Sequence, residues 1–260
     1  MPLVVFLRRH LLGWRFWFAW IWGLAIAFGI HWGSYGLSPE VAAQLPALRS
    51  HPLPETLAAL PRTVNAEDYF AEVTATPAGH LIWTDFPVKV YLPAPDPLAS
   101  PAAQTRQQQW QQAVTAAIAQ WQPYLPLVLT PEPETADIVV RRQAPPVQKQ
   151  VDPKTGASRY FLGRNAETRY EFYVDADQIL RHRMTIFLND HQGAIATENT
   201  ARHELGHALG IWGHSPNSED ALFASQLGAA SRITTTDINT LRKIYQQPTR
   251  LGWPMPDFKQ

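Results

Sequence analysis

Short alternating and helical runs, punctuated by proline and glycine, set the architecture of this chain. Val88, Val90 and Leu92 alternate with Lys89 and Tyr91 between Pro87 and Pro93, the period of two that marks a half-buried strand. Ser100-Pro101 then starts a helix, with serine as N-cap and proline in the first turn, where its missing N–H is no loss. Trp110, Val114, Ala117, Ile118 and Trp121 recur along it at helical steps, and Pro123 stops it. Residues 127–130 and 138–141 read as two further strands. Residues 143–158 read as a loop with a hairpin-like turn at 151–156. Strands are expected at 160–162, 169–174 and 184–188, the last two paired through the turn Asp175-Ala176-Asp177.

Two more helices close the pattern. The first covers 196–209 with Ala201, Leu205, Ala208 and Leu209 on its packed side, and Gly210 ends it in the manner of a left-handed C-terminal glycine. The second covers 235–246; Thr234 and Asp237 form a capping box, and Ile238, Leu241, Ile244 and Tyr245 form its buried stripe. Mixed strands, one early helix and two late ones make an α+β domain over about 80–248. Ahead of it, residues 37–79 alternate proline with short apolar pieces and read as a linker or pro-segment with one short helix at 55–60. Residues 249–260 read as a C-terminal tail.

Residues 1–36 are of another kind. Arg8, Arg9 and Arg15 precede an uncharged run, FWFAWIWGLAIAFGI, and with the residues up to Tyr35 it reaches the ~20 residues that span a bilayer. Basic residues before the run place the N-terminus in the cytoplasm, and tryptophan and tyrosine at its ends suit membrane interfaces. The expectation is a membrane contact through residues 16–36, as one anchoring helix with the rest of the chain outside the cytoplasm. The alternative is a cleaved signal peptide and a secreted or periplasmic product, although Val41-Ala42-Ala43, the one small-residue cleavage site, lies far past the apolar core.

Composition narrows the chemistry. With 22 basic and 22 acidic residues the formal charge is zero, which gives no electrostatic case for nucleic acid. The absence of cysteine removes disulfides and thiolate ligands. Histidine and carboxylate chemistry remains, concentrated in His203-Glu204-Leu205-Gly206-His207-Ala208-Leu209-Gly210-Ile211-Trp212-Gly213-His214. Residues four apart on a helix differ by about 40° in azimuth and ~6 Å in height, so His203 and His207 can bind one ion. Glu204 flanks that face, within reach of a water on the metal but not placed as a ligand. A catalytic zinc takes three protein ligands and keeps one position open. A chain turning at Gly210 can return His214 to the same ion.

This extended pattern resembles the metzincin zinc endopeptidases, and within them the matrixins, whose motif HELGHALG matches residue for residue. The resemblance implies a metzincin-like fold with a mixed twisted sheet, an early helix, a zinc-binding active-site helix and a C-terminal helix. It implies one catalytic Zn2+ on His203, His207 and His214, Glu204 as catalytic base, and a monomer acting on protein or peptide substrates. In related enzymes an extended peptide pairs with an edge strand, here one between Tyr160 and Leu188. Matrixins carry methionine eight residues after the third histidine and tyrosine next; here Leu222 and Phe223 stand at those positions. Leucine can supply the same apolar floor, whereas Phe223 has no hydroxyl to donate. Matrixins also have two residues between the motif glycine and the third histidine, where this chain has Ile211, Trp212 and Gly213.

Other candidates are weaker. His182 and His191 could join a structural second Zn2+ but read as surface residues, and Asp175 and Asp177 could hold Ca2+ but read as a polar turn. Matrixins often carry an inhibitory cysteine ahead of the domain; here Glu67 or Asp68 would have to serve instead. Two rival readings stand beside the protease. One is a catalytically inactive, membrane-tethered, zinc-containing binding module. The other is an intramembrane protease, disfavoured by the polar flank Glu198, Asn199, Thr200 and Arg202.

Overall fold

Five strands build the central sheet: β1 (Val88–Tyr91), β2 (Leu127–Thr130), β3 (Ile138–Arg141), β6 (Ala166–Val174) and β7 (Leu180–Leu188), in the order β2-β1-β3-β7-β6. β2, β1, β3 and β7 run parallel, and β6 is the antiparallel edge strand. A separate hairpin joins β4 (Gln148–Val151) to β5 (Ser158–Phe161). The helices are α1 (Glu55–Ala59), α2 (Pro101–Trp121), α3 (Ala194–Ala208) and α4 (Thr235–Tyr245). This computed structural model describes residues 45–61, 67–151, 158–161, 164–224 and 231–256. The membrane helix expected over 16–36 lies outside them, and among the described residues no helix is long and apolar enough to cross a membrane.

The helix starts follow their caps. Ser100 Oγ accepts from Ala103 N at the start of α2, and Thr234 and Asp237 form both halves of the capping box of α4. α2 and α3 pack on each other, and α3 also packs on β6 and β7. The end of α3 is buried, so its last carbonyls need partners. Trp83 Nε1 donates to Ala208 O at 2.9 Å, Tyr245 OH donates to Leu209 O at 3.0 Å, and Gly210 turns the chain away with φ +123°.

β6 and β7 are longer than the apolar pattern suggests. β7 buries every second residue from Leu180 to Leu188, so His182 falls on its core-facing parity. The surface reading of His182 is therefore corrected: only 4 % of it is exposed, and it stacks on Trp83 at 4.0 Å. His191 does lie on the surface, 74 % exposed, so the two histidines do not share a site. Burial holds the His182 imidazole down to about 3, while an unfolded chain titrates near 6.5. Between those values only the unfolded state takes up the proton, so acid must erode stability by up to ~1.4 kcal/mol per pH unit from this residue. In urea titrations of metal-free protein from pH 7 to pH 4, His182→Leu is expected to flatten that slope. Equal slopes for the two proteins would refute the assignment.

Residues read as a tether form part of this core. Leu57, Tyr69 and Ala78 are buried in it, and a buried leucine alone contributes about 1.5–3 kcal/mol. Arg49 and Thr249 exchange both backbone hydrogen bonds, and Thr249 Oγ1 donates to Ala78 O at 3.0 Å. Downstream, residues 67–74 form a strap. Tyr69 N donates to Thr240 Oγ1 at 2.9 Å, and Asp68 pairs with Lys243 at 2.6 Å. Asp68 thus faces α4 rather than the histidines, contrary to its reading as an inhibitory ligand.

Candidate metal centre

Helix α3 presents His203 and His207 one turn apart, as four-residue spacing requires. Each is aimed by its other nitrogen. His203 Nδ1 lies 2.8 Å from Ala221 O, and His207 Nδ1 lies 2.7 Å from Ile211 O. A carbonyl can only accept, so both Nδ1 atoms carry hydrogen and both Nε2 atoms carry lone pairs. Those Nε2 atoms stand 3.1 Å apart. Two acceptors that close, with no hydrogen between them, repel unless a cation lies between. Zinc–nitrogen bonds of ~2.0–2.1 Å in a tetrahedron would set such atoms about 3.3 Å apart.

His214 completes the cluster despite the extra residue before it: the ligand atoms of His203, His207 and His214 all lie within 4.8 Å of one another. The insertion is absorbed between Gly210 and Gly213, where Trp212 N donates to Gly210 O and Thr74 N of the strap donates to Trp212 O, both at 2.9 Å. Gly213 is required by that close approach. A Cβ there would collide with the backbone of Glu72 and Val73. The cluster opens outward, from buried His203 through half-buried His207 to exposed His214. Burial lowers the pKa of all three, to about 4 for His203. The imidazoles are therefore neutral at physiological pH, the form that binds a metal. The residues present fit a zinc ion.

The segment 220–223 lies beneath the cluster. Leu222 is fully buried and its side chain closes on Gly206 of α3. Its carbonyl accepts Ser215 N at 2.9 Å, next to His214, while Ala221 supplies the carbonyl that orients His203. Behind the turn lies a buried carboxylate that composition and periodicity showed only as a helix cap. Asp237 Oδ1 accepts from Tyr69 OH at 2.5 Å, and its Oδ2 accepts from Ala221 N at 3.0 Å. Asp175 caps its own turn, accepting from Asp177 N, Ile179 N and Arg181 Nε, which is the polar-turn arrangement.

Glu204 is 8 % exposed and faces β6. There Thr168 Oγ1 stands 2.5 Å from Glu204 Oε2 and 3.1 Å from Glu204 O. Burial pushes Glu204 up to about 7, against the opposing pull of the Thr168 hydrogen bond. The apolar pattern predicts this strand only from Arg169, one residue past Thr168, so it does not single out Thr168. The signal was present in the run Ala166, Thr168, Tyr170, Phe172, Val174, one face of an alternating strand with a hydroxyl near its start.

A model of the matrixin peptidase family matches residues 98–246, more than half of the chain and all of the histidine cluster. No curated protein matches.

Proposed function

Since the chain belongs to the matrixin family of zinc metalloendopeptidases, we propose that it cleaves peptide bonds with His203, His207 and His214 as zinc ligands and Glu204 as general base. The observation that carries this reading is the pair of Nε2 lone pairs 3.1 Å apart, with the buried carboxylate of Glu204 on the residue next to His203. Zinc, when bound, supplies Lewis acidity that polarises a carbonyl and makes water a better acid. Glu204 receives the proton that the attacking water gives up and returns it to the leaving nitrogen, so its charge is restored each turnover. Leu222 serves as the floor that methionine forms in relatives, and Ala221 and Ile211 hold the ligand rings through their carbonyls.

β6 is the strand placed to receive substrate. It is the antiparallel edge of the sheet, and its Thr168 touches Glu204. An extended peptide added there would gain main-chain hydrogen bonds while its scissile bond lies near the base. The apolar run after Arg8, Arg9 and Arg15 supports work outside the cytoplasm, on a chain held by residues 16–36. Fractionation of cells, with protease added to intact cells or spheroplasts, tests that placement; a chain recovered wholly in the soluble cytoplasmic fraction refutes it.

The activity is tested by incubating the zinc-loaded full-length chain with a diverse peptide library and mapping the cuts by mass spectrometry. Cuts that vanish on chelation and return with zinc are expected. One zinc per chain with every peptide intact would establish the binding-module reading instead.

A further inference from the structure

The geometry points to Thr168 as a positioning residue for Glu204: its hydroxyl pins one carboxylate oxygen and so presents the other to the reacting proton. This inference rests on the proposed role of Glu204. It comes from β6, where the core-facing positions are Ala166, Thr168, Tyr170, Phe172 and Val174, and apolar atoms of all but Thr168 pack on the core. Valine has the shape of threonine and would fill the same space. The hydroxyl here has two acceptors, both on one residue: Glu204 Oε2 at 2.5 Å and Glu204 O at 3.1 Å.

That arrangement restricts rotation. Glu204 reaches its position through three flexible torsions, and a carboxylate held only by its helix can swing or turn over. Thr168 sits on a rigid strand, paired opposite Ile186 of β7, and is itself 5 % exposed. Its one hydroxyl hydrogen goes to Oε2, the shorter of the two contacts, and ties that oxygen to the sheet. The carboxylate is thereby held against β6. Oε1 is the oxygen not committed to Thr168, and it is left to meet the water proton. A group held in its reactive orientation loses little entropy at the transition state. Because the side chain faces α3, it does not occupy the β6 backbone edge where a peptide would pair. The effect therefore belongs in kcat rather than KM.

The test compares Thr168→Val and Thr168→Ser with the wild-type full-length chain, reading zinc content, kcat and KM on one peptide substrate. Thr168→Val is expected to bind one zinc per chain and to keep KM within about 2-fold, while kcat falls about 10- to 100-fold, the weight of one hydrogen bond to a charged group. Thr168→Ser, which restores the hydroxyl without the methyl, is expected to recover kcat to within about 3-fold of wild type. The inference is overturned if Thr168→Val keeps wild-type kcat, if it loses zinc along with activity, or if Thr168→Ser is as slow as Thr168→Val. A wild-type chain that holds zinc but cleaves nothing would instead overturn the peptidase reading, and this inference with it.

Discussion

Glu204→Gln is expected to lower kcat for peptide cleavage by roughly 10²- to 10⁴-fold, the usual weight of a general base, with one zinc per chain retained. Glutamine has the size of glutamate, and its amide oxygen can still accept from Thr168. It cannot take a proton from water. The ligand rings should be unmoved, because His203 and His207 are oriented by Ala221 O and Ile211 O rather than by Glu204. Metal-free protein should show a second, opposite effect. The carboxyl is raised from 4.5 to about 7 on folding, so the folded state binds more protons than the unfolded one between those values. Stability from this group is then lost as pH rises through that window. The neutral amide escapes that loss, and metal-free Glu204→Gln should equal or exceed wild-type stability above pH 7. Steady-state kinetics with zinc analysis and a urea midpoint check both halves. Undiminished cleavage would remove Glu204 from the chemistry, and loss of zinc would mean that it holds the metal centre together instead.

Asp237→Ala is expected to destabilise the fold by about 3–5 kcal/mol, the cost of leaving several buried donors without their acceptor and of losing a helix cap. Asp237 is 0 % exposed. Tyr69 OH, Ala221 N and Thr234 N all donate to it, at 2.5, 3.0 and 2.9 Å. Alanine leaves those donors in a dry interior with nothing in place of the carboxylate, and it also removes half of the capping box of α4. The damage should reach the metal. The peptide whose N–H loses its acceptor belongs to Ala221, whose carbonyl holds His203. Loss of support one step behind a ligand typically costs 10- to 100-fold in metal affinity. Chelator competition measures that term apart from a urea midpoint. A stability loss with unchanged zinc affinity would show that Asp237 supports the fold alone. Tyr69→Phe, which removes one donor and leaves the carboxylate two backbone donors, should show both effects in milder form.

How much of this was legible beforehand depends on range. The helix of the histidines could be placed within two residues at each end because apolar spacing, Gly210 and ligand spacing all agree along one local stretch. β2 and β3 were equally clear, as compact apolar runs bounded by turn residues. The apolar pattern reads β6 and β7 short because their first positions of alternation are polar or basic, Glu167 and Thr168 in one, Arg181, His182 and Arg183 in the other. Their parity still carries the core-facing set, including His182 and Thr168, but parity is read only once the strand is given its full length. The triad was local and therefore readable. Its supports were not. Asp237 reads as a cap because its partner at Thr234 is near in sequence, while Tyr69 and Ala221 reach it across the fold. Proline at 37–79 suggested a tether for a similar reason: the residues that bury Leu57 and Tyr69 lie far along the chain.

The strap and the clasp between Arg49 and Thr249 also fix an order of events at the ribosome. The first described segments to be made, 45–61 and 67–79, find their partners on α4 and around Thr249, among the last. When His214 is joined to the chain, the triad is complete in sequence, yet Asp237 has still to be synthesised and Tyr69 has nothing to donate to. Ala221 cannot be fixed from behind until α4 forms, so His203 acquires its full support only after α4 has been made. The last helix thus completes the metal centre, and a chain interrupted before α4 would carry all three histidines without the scaffold that holds the first of them in place.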